Sequence, residues 1–225
     1  MGVINMKFEL LLWILFIFLF YSFIGWLAEV LFILFKEKRF VNRGITNGPF
    51  CTLYGLIAVV LSITLNDIDN TFVVFFSSIL YSTVIQYIVG KVLTILNKRV
   101  WWDYSNKKYN IDGYICLNYS LLWGVFGTIL IRFINPLLLT LFKNFNIYIV
   151  GVILFTLMGL LLVDLLTSFI TLKKIKKNKI KKHTTSFTDW LFASIKNRLE
   201  NAYPTFNKKN LKRITLPEGI TFTHV

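Results

Sequence analysis

The sequence predicts an all-α polytopic membrane protein, a bundle of about five transmembrane helices, and three observations carry that prediction. Hydrophobic residues fill 56% of the 225 positions and aromatic residues 17%, with a mean hydropathy of +0.63, far above the apolar share of an ordinary soluble domain. Several apolar runs reach the roughly 20 residues with which a helix crosses the hydrocarbon core while satisfying its own backbone groups. Lysine and arginine concentrate in alternate connections, as they do in a chain threaded back and forth through a bilayer.

The first apolar run, Phe8 to Phe35, is about 42 Å long at helical rise, so it must tilt or project beyond a core of ~30 Å. It is too long for the core of a signal peptide and no small-residue cleavage site follows, so it is expected to be a retained span. The second run, Phe50 to Leu65, is barely long enough to cross, and the third, fourth and fifth are expected at Phe72 to Leu96, Leu117 to Ile134 and Ile147 to Leu172. Residues 1–172 thus form the expected transmembrane domain and residues 173–225 a basic cytoplasmic tail.

The formal net charge of +14 is mostly a matter of topology. Lys36, Lys38, Arg39 and Arg43 lie between the first two runs, and Lys98, Arg99, Lys107 and Lys108 between the third and fourth. Thirteen more basic residues follow Leu172. The second-to-third link, NDIDN, has none, and the fourth-to-fifth link has only Lys143, with Arg132 nearby in the fourth run. The positive-inside rule then places the N-terminus outside and both basic loops and the C-terminus in the cytoplasm. No nucleic-acid partner is expected. Cys51 and Cys116 fall at the same face, where thiols stay reduced, so no disulfide is expected.

The connection RFVNRGITNGPFCTLYG, Arg39 to Gly55, holds two arginines, two asparagines, three glycines and a proline, more than a tether needs. From Asn47 it reads NGPFCTLYGL, and from Asp112 the chain reads DGYICLNYSL. Both fit Asn/Asp-Gly-x-x-Cys-x-x-Tyr-Gly/Ser-Leu at an offset of 65 residues, and KRF at Lys38 and KRV at Lys98 open the two loops alike. Either the first two pairs of spans are a duplicated two-helix hairpin of parallel orientation, with the fifth span added, or biased composition produced the match. Asn47-Gly48 and Asp112-Gly113 turn the chain at little steric cost, and Pro49 suits the first turn of a helix. Small residues such as Gly44 and Gly48 serve either as helix caps or as a concavity of backbone N–H groups that binds an anion.

The second loop, WWDYSNKKYNIDGY, combines Trp101, Trp102, Tyr104 and Tyr109 with Asp103, Asp112 and two lysines. Trp101 is expected at the lipid headgroup level. Asp103 is expected to open a turn, Asn110 with Gly113 to make a second, and the loop to pack on the first.

Charges inside the runs need partners. Glu29 lies seven residues before Lys36 and Lys91 seven before Lys98, each about 10 Å inside the same boundary at helical rise. A charge at the bilayer centre costs about 2.5 to 3.5 kcal/mol, so buried ones pair or line a wet cavity. An ion pair between Glu29 and Lys91 is expected; otherwise Lys91 snorkels to the interface and Glu29 faces loop groups such as Arg43. Asp164, nine residues before Lys173 and followed by Thr167 and Ser168, has no cation in its own helix. Contact with Arg43, contact with Arg99 and protonation all stay open, as does the choice between a structural hydrogen bond and a place on a substrate or proton path. Gln86 and Tyr87 add polarity to the third span, which more often joins helices than forms a site.

After Leu172, KKIKKNKIKKH is expected to stop transfer and attract anionic lipid. From Phe187, Leu191, Ile195 and Leu199 recur every four residues, with Trp190, Phe192 and Tyr203 alongside and Lys196 and Arg198 opposite. That pattern predicts an amphipathic helix at about 187–203, lying on the membrane or docking a partner, and little order is expected past Pro204. His183 and His224 both sit in this tail, and neither a Cys/His pair near a span nor a metal-ligand spacing occurs, so no cofactor and no enzymatic activity are expected. A membrane enzyme using Asp103 or Glu29 is a distant third reading.

Gly25, Trp26 and Glu29 in GWLAEV, then Arg43, Gly44, Gly48, Pro49, Tyr54 and Gly55, then WWDYS, then Asn110, Gly113 and Ile115, then SLLWG from Ser120 to Gly124 resemble a family of small bacterial polytopic membrane proteins labelled ABC-transporter permeases, type IV. The resemblance covers about Tyr21 to Gly127. It implies a bacterial cell membrane, a membrane-spanning permease subunit of unspecified substrate, and ATP hydrolysis by a separate subunit, since the chain has no GxxxxGK(S/T) loop of its own. Five spans are few for a path, so a homo-oligomer of at least two copies is expected. Gln86 stands where the family is associated with an acidic residue, and no coupling-helix signature of better-known ABC permeases is found. The competing reading is an accessory or regulatory membrane protein that recruits partners or lipids through its loops and carries nothing across.

Overall fold

The computed structural model describes residues 2–97, 100–176 and 187–202. Within them the chain forms helices α1 (Gly2–Glu37), α2 (Thr52–Leu65) and α3 (Thr71–Asn97). Then come α4 (Leu117–Lys143), α5 (Ile147–Lys176) and α6 (Phe187–Ala202). Between α3 and α4, strands β1 (Asn110–Ile111) and β2 (Ile115–Cys116) pair antiparallel in a small hairpin.

Helices α1, α3, α4 and α5 are long and apolar enough to cross a membrane. The second, α2, has 14 residues, or about 21 Å, which falls short of a ~30 Å core. The fourth helix continues past its expected end at Ile134 as far as Lys143. Pro136 cannot donate a backbone hydrogen bond and would break a regular helix. The turn before it, Leu130–Ile134, widens into a π turn in which the Asn135 N–H reaches the Leu130 carbonyl, so the helix absorbs the proline.

Helix α1 packs along α2 and α3 along α4, with α2 joined to α3 and α5 seated on α1. Within lipid, helices gain little from apolar burial against one another, and close backbone approach at small residues takes over. At Gly55 an added Cβ would lie 2.2 Å from Ser22 Oγ and 2.4 Å from the Phe18 carbonyl; at Gly127 it would lie 2.5 Å from Ser78 Oγ. The repeated motif occupies matching places in the two hairpins. Cys51 and Cys116 are the N-caps of α2 and α4. Four residues on, Gly55 meets Ser22 of α1, and its counterpart Ser120 accepts a hydrogen bond from Thr83 of α3 at 2.9 Å.

Outward faces carry exposed Phe72, Phe76, Phe133, Val152 and Leu160, the surface a bilayer covers. Inside, Tyr21 donates to Asn135 Oδ1 at 3.0 Å and Asn135 Nδ2 donates to Ser62 Oγ at 2.8 Å, joining α1, α4 and α2. At the end of the bundle where α2 meets α3, Arg132 donates to the carbonyls of Ile68 and Asp69.

The opposite end holds a separate core. Ile33 of α1, Leu93 of α3 and Leu172 and Ile175 of α5 pack with Val41 of the first loop and Trp101 of the second, and with Ile195, Leu199 and Ala202 of α6. Both long loops and the last helix therefore share one end of the bundle. Helix α6 lays Ile195, Leu199 and Ala202 on its own bundle while Phe187 and Trp190 remain exposed, and Trp101, 4% exposed, packs in the same core.

Candidate functional site

The first loop, residues 38–51, enters the bundle. Trp26 of α1 donates its indole N–H to Asn42 Oδ1 at 2.7 Å, and Asn42 Nδ2 donates to the Asn47 carbonyl at 2.7 Å, pinning both limbs of the loop. Buried Thr46 donates to the Phe50 carbonyl at 2.6 Å. Gly44 takes φ +137°, a conformation that favours glycine. The Cys51 N–H donates to the Ser22 carbonyl at 2.8 Å, tying the loop's exit to α1. Non-helical backbone is tolerated inside a membrane only where protein buries it, and here the loop stands in for the first turns that α2 lacks. Pro49 accordingly precedes the N-cap of α2 and is exposed, rather than lying in the first helical turn.

Two carboxylates receive this loop. Glu29 of α1 accepts from Arg43 Nη1 at 3.2 Å through Oε2 and from the Tyr54 hydroxyl at 2.9 Å through Oε1. The Glu29–Lys91 pair is thus corrected. Lys91 faces outward on α3, where it donates to the Tyr87 hydroxyl at 3.3 Å, and Tyr87 donates to Asp112 Oδ2 at 2.7 Å. Lys91 has a long stem that reaches a polar edge, whereas Glu29 is short and the loop brings Arg43 to it.

Asp164 of α5 accepts three hydrogen bonds from the loop. The backbone N–H and the side-chain amide of Asn47 reach Oδ1 at 3.0 and 2.7 Å, and the Gly48 N–H reaches Oδ2 at 2.7 Å. Successive backbone N–H groups converging on an anion form a nest, and the anion they hold is the protein's own carboxylate. Arg43 is engaged by Glu29, and Arg99 lies outside the described residues. An added Cβ at Gly48 would lie 3.3 Å from Asp164 Oδ2, so a side chain there would press on the carboxylate.

The other side of the loop is held by α6. Arg198 Nε donates to Asn47 Oδ1 at 2.9 Å, while its Nη atoms donate to the carbonyls of Gly44 and Ile45 at 3.1 and 2.9 Å and of Asn42 at 3.4 Å. The four-residue recurrence of Leu191, Ile195 and Leu199 predicts Arg198 opposite the apolar stripe. In the structure Ile195, Arg198 and Ala202, spaced three and four residues apart, share the inward face. That spacing was the available signal. Lys174 at the end of α5 lies 3.4 Å from the centre of the Phe192 ring, a further tie between the two helices.

The second loop closes over the first. Asp103 Oδ1 accepts from the N–H of Ser105 at 2.8 Å and from its hydroxyl, and the Gly113 N–H donates to Asn110 Oδ1 at 3.1 Å, so both expected turns are present. Trp102 donates to the Tyr114 carbonyl at 2.8 Å and packs against the core that holds Val41. Tyr104 stacks on Tyr119 with ring centres 4.6 Å apart. Burial, and then the nearby Glu29 carboxylate, push the Tyr104 phenol above its ordinary range. Gln86 is buried on α3, apart from the Glu29 and Asp164 contacts.

The site thus joins Glu29, Arg43, Gly44, Asn47, Gly48, Tyr54 and Asp164 and adds Asn42, Thr46 and Arg198, while Lys91 and Asp103 stay at its exposed rim. Among the described residues no cluster of His, Cys, Asp and Glu is arranged to hold a metal ion. His183, His224, Tyr203 and most of the polybasic run lie outside the described residues.

A family model described as "Putative ABC-transporter type IV" matches residues 16–169. The match takes in α2, α3 and α4, both loops, Glu29 and Asp164, and stops before α6. No curated protein and no solved structure matches the chain.

Proposed function

We propose a transport role from one premise: the chain belongs to the ABC-transporter type IV family. In this reading it is the membrane-spanning subunit, and a separate ATPase docks on the end of the bundle where the loops lie. The observation that supports the role is the coupling of that end to two carboxylates on the spans, since the first loop touches Glu29 of α1 and Asp164 of α5 at once. A partner that displaced the loop would take from Glu29 its Arg43 contact and from Asp164 its amide donors, changing the surroundings of both part-buried carboxylates at once. Substrate passage and ATP turnover are linked through that loop.

The concentration of basic residues at this end supports a cytoplasmic position for it by the positive-inside rule. In this reading the exposed apolar helix faces meet lipid and a second copy of the chain, and the lysine-rich sequence after α5 supplies charge that anionic lipid attracts. Solubilising the native membrane in mild detergent and identifying what co-purifies tests the reading. A nucleotide-binding subunit is expected, and its recovery should fall when exposed Lys107 and Lys108 of the second loop are both changed to Glu. A sample free of any nucleotide-binding protein overturns the transport reading and favours an accessory membrane protein.

A further inference from the structure

Helix α6 lies beyond the family match, and nothing in a permease role requires it to touch the first loop. Its Arg198 nevertheless binds the loop from one side while Asp164 binds it from the other. The backbone N–H groups of Asn47 and Gly48 point to Asp164, and the carbonyls of Gly44 and Ile45 point to Arg198. The Asn47 side chain spans both, donating to Asp164 Oδ1 and accepting from Arg198 Nε.

We infer that α6 is a detachable latch: docked, it holds the tip of the first loop on Asp164 through Arg198, and undocked, it frees that tip to leave Asp164 while Arg43 and Cys51 stay tied to α1. Several features fit a release rather than a permanent seal. The apolar contact of α6 with the bundle is narrow, centred on Ile195, Leu199 and Ala202, while Phe187 and Trp190 at its start remain exposed. These Arg198 contacts all go to the loop itself, to the carbonyls of Asn42, Gly44 and Ile45 and to the Asn47 side chain, so undocking α6 removes them together. The loop amides face a carboxylate that sits on a different element from the arginine, so the Asn47 side chain is gripped by two helices at once.

Coupling between two sites is reciprocal. If Arg198 holds the loop on Asp164, then Asp164 holds α6 on the loop. Hydrogen exchange followed by mass spectrometry on the full chain in detergent reads both directions. Arg198→Gln is expected to speed exchange about tenfold in peptides covering residues 42–50 as well as in α6, leaving α3 unchanged. Arg198→Lys, which keeps the charge but not the fork of donors, should fall between wild type and Arg198→Gln. Asp164→Asn is expected to speed exchange in α6, although α6 does not touch that residue in any of these contacts. Release of α6 by Arg198→Gln with residues 42–50 still protected would sink the latch. So would an α6 that ignores Asp164→Asn, an outcome that remains readable if the Arg198 variant fails to fold. Exchange reports on the clamp alone, so the inference stands or falls apart from the transport reading.

Discussion

Gly48 donates its backbone N–H to the carboxylate of Asp164 at 2.7 Å across 116 residues of sequence. The contact carries the tip of a glycine-rich loop to a point nine residues before Lys173 on α5, about 13 Å along the helix at 1.5 Å per residue. It satisfies two things at once: amides that no helix would pair, and a carboxylate nine residues from the nearest lysine of its own helix.

The first prediction concerns Asp164. Asp164→Leu leaves the part-buried Asn47 and Gly48 amides without an acceptor inside the bundle and should cost about 2 to 3 kcal/mol, since each donor stripped of its acceptor bears its desolvation. Asp164→Asn keeps one acceptor oxygen and should cost about 1 to 2 kcal/mol. Unfolding of the purified protein in mixed micelles, titrated with SDS, measures both, and equal losses would mean the nest contributes nothing.

The second prediction separates the two candidate partners of Glu29. Its contact with Arg43 leaves the two side chains 29% and 28% exposed, so the pair lies between the surface and buried regimes. Glu29→Gln and Arg43→Gln should show a coupling of about 1 kcal/mol or more in a double-mutant cycle. Glu29→Gln with Lys91→Met should add to within about 0.5 kcal/mol, as for sites without a shared contact. Strong coupling to Lys91 would restore the pairing expected from depth alone.

Those two outcomes mark what was legible in the sequence. Apolar runs gave α3 and α5 within a few residues at both ends, because span length is fixed by the bilayer and by helical rise. The turns at Asp103 and at Asn110–Gly113 were legible because Asx and glycine chemistry acts over two or three residues. Depth matching of Glu29 with Lys91 failed because depth fixes only the coordinate along the bundle axis, while partners also depend on which faces meet. The loop's descent into the bundle was half visible. Its glycines announced a cluster of exposed N–H groups, and Asp164 announced a carboxylate without a cation, but a contact across 116 residues has no local signature. The extension of α4 past Ile134 was missed because Asn135-Pro136 looks like a stop, and the π turn that accommodates it arises from packing.

The third prediction tests that π turn. It rotates Asn135 inward, 2% exposed, to accept from Tyr21 and donate to Ser62. Tyr21→Phe removes one donor and should cost about 1 kcal/mol, whereas Asn135→Leu strands the Tyr21 hydroxyl, although Ser62 keeps its bond to the Ala58 carbonyl at 2.6 Å, and should cost about 1 to 3 kcal/mol. Interhelical hydrogen bonds within membranes average well below such values in some cases, about 0.6 kcal/mol, so a loss that small for Asn135→Leu would show the network to be incidental.

The fourth prediction concerns the crossing of α1 and α2. An alanine Cβ at Gly55 would lie 2.2 Å from Ser22 Oγ and 2.4 Å from the Phe18 carbonyl oxygen. The serine hydroxyl can rotate, but the carbonyl belongs to the backbone of α1, so the helices must separate. Overpacking of this kind costs about 1 to 3 kcal/mol. Separation also reaches the site, because Cys51 hangs from the Ser22 carbonyl and Tyr54 from Glu29. Gly55→Ala is therefore expected to destabilise the protein and to raise the reactivity of Cys51 toward a maleimide in a Cys116→Ser background. Combining it with Ser22→Ala should recover only part of the loss, since the Phe18 carbonyl still obstructs the methyl group. Full recovery in that double variant would show that the hydroxyl alone sets the approach, and that the two helices have room to spare at their closest point.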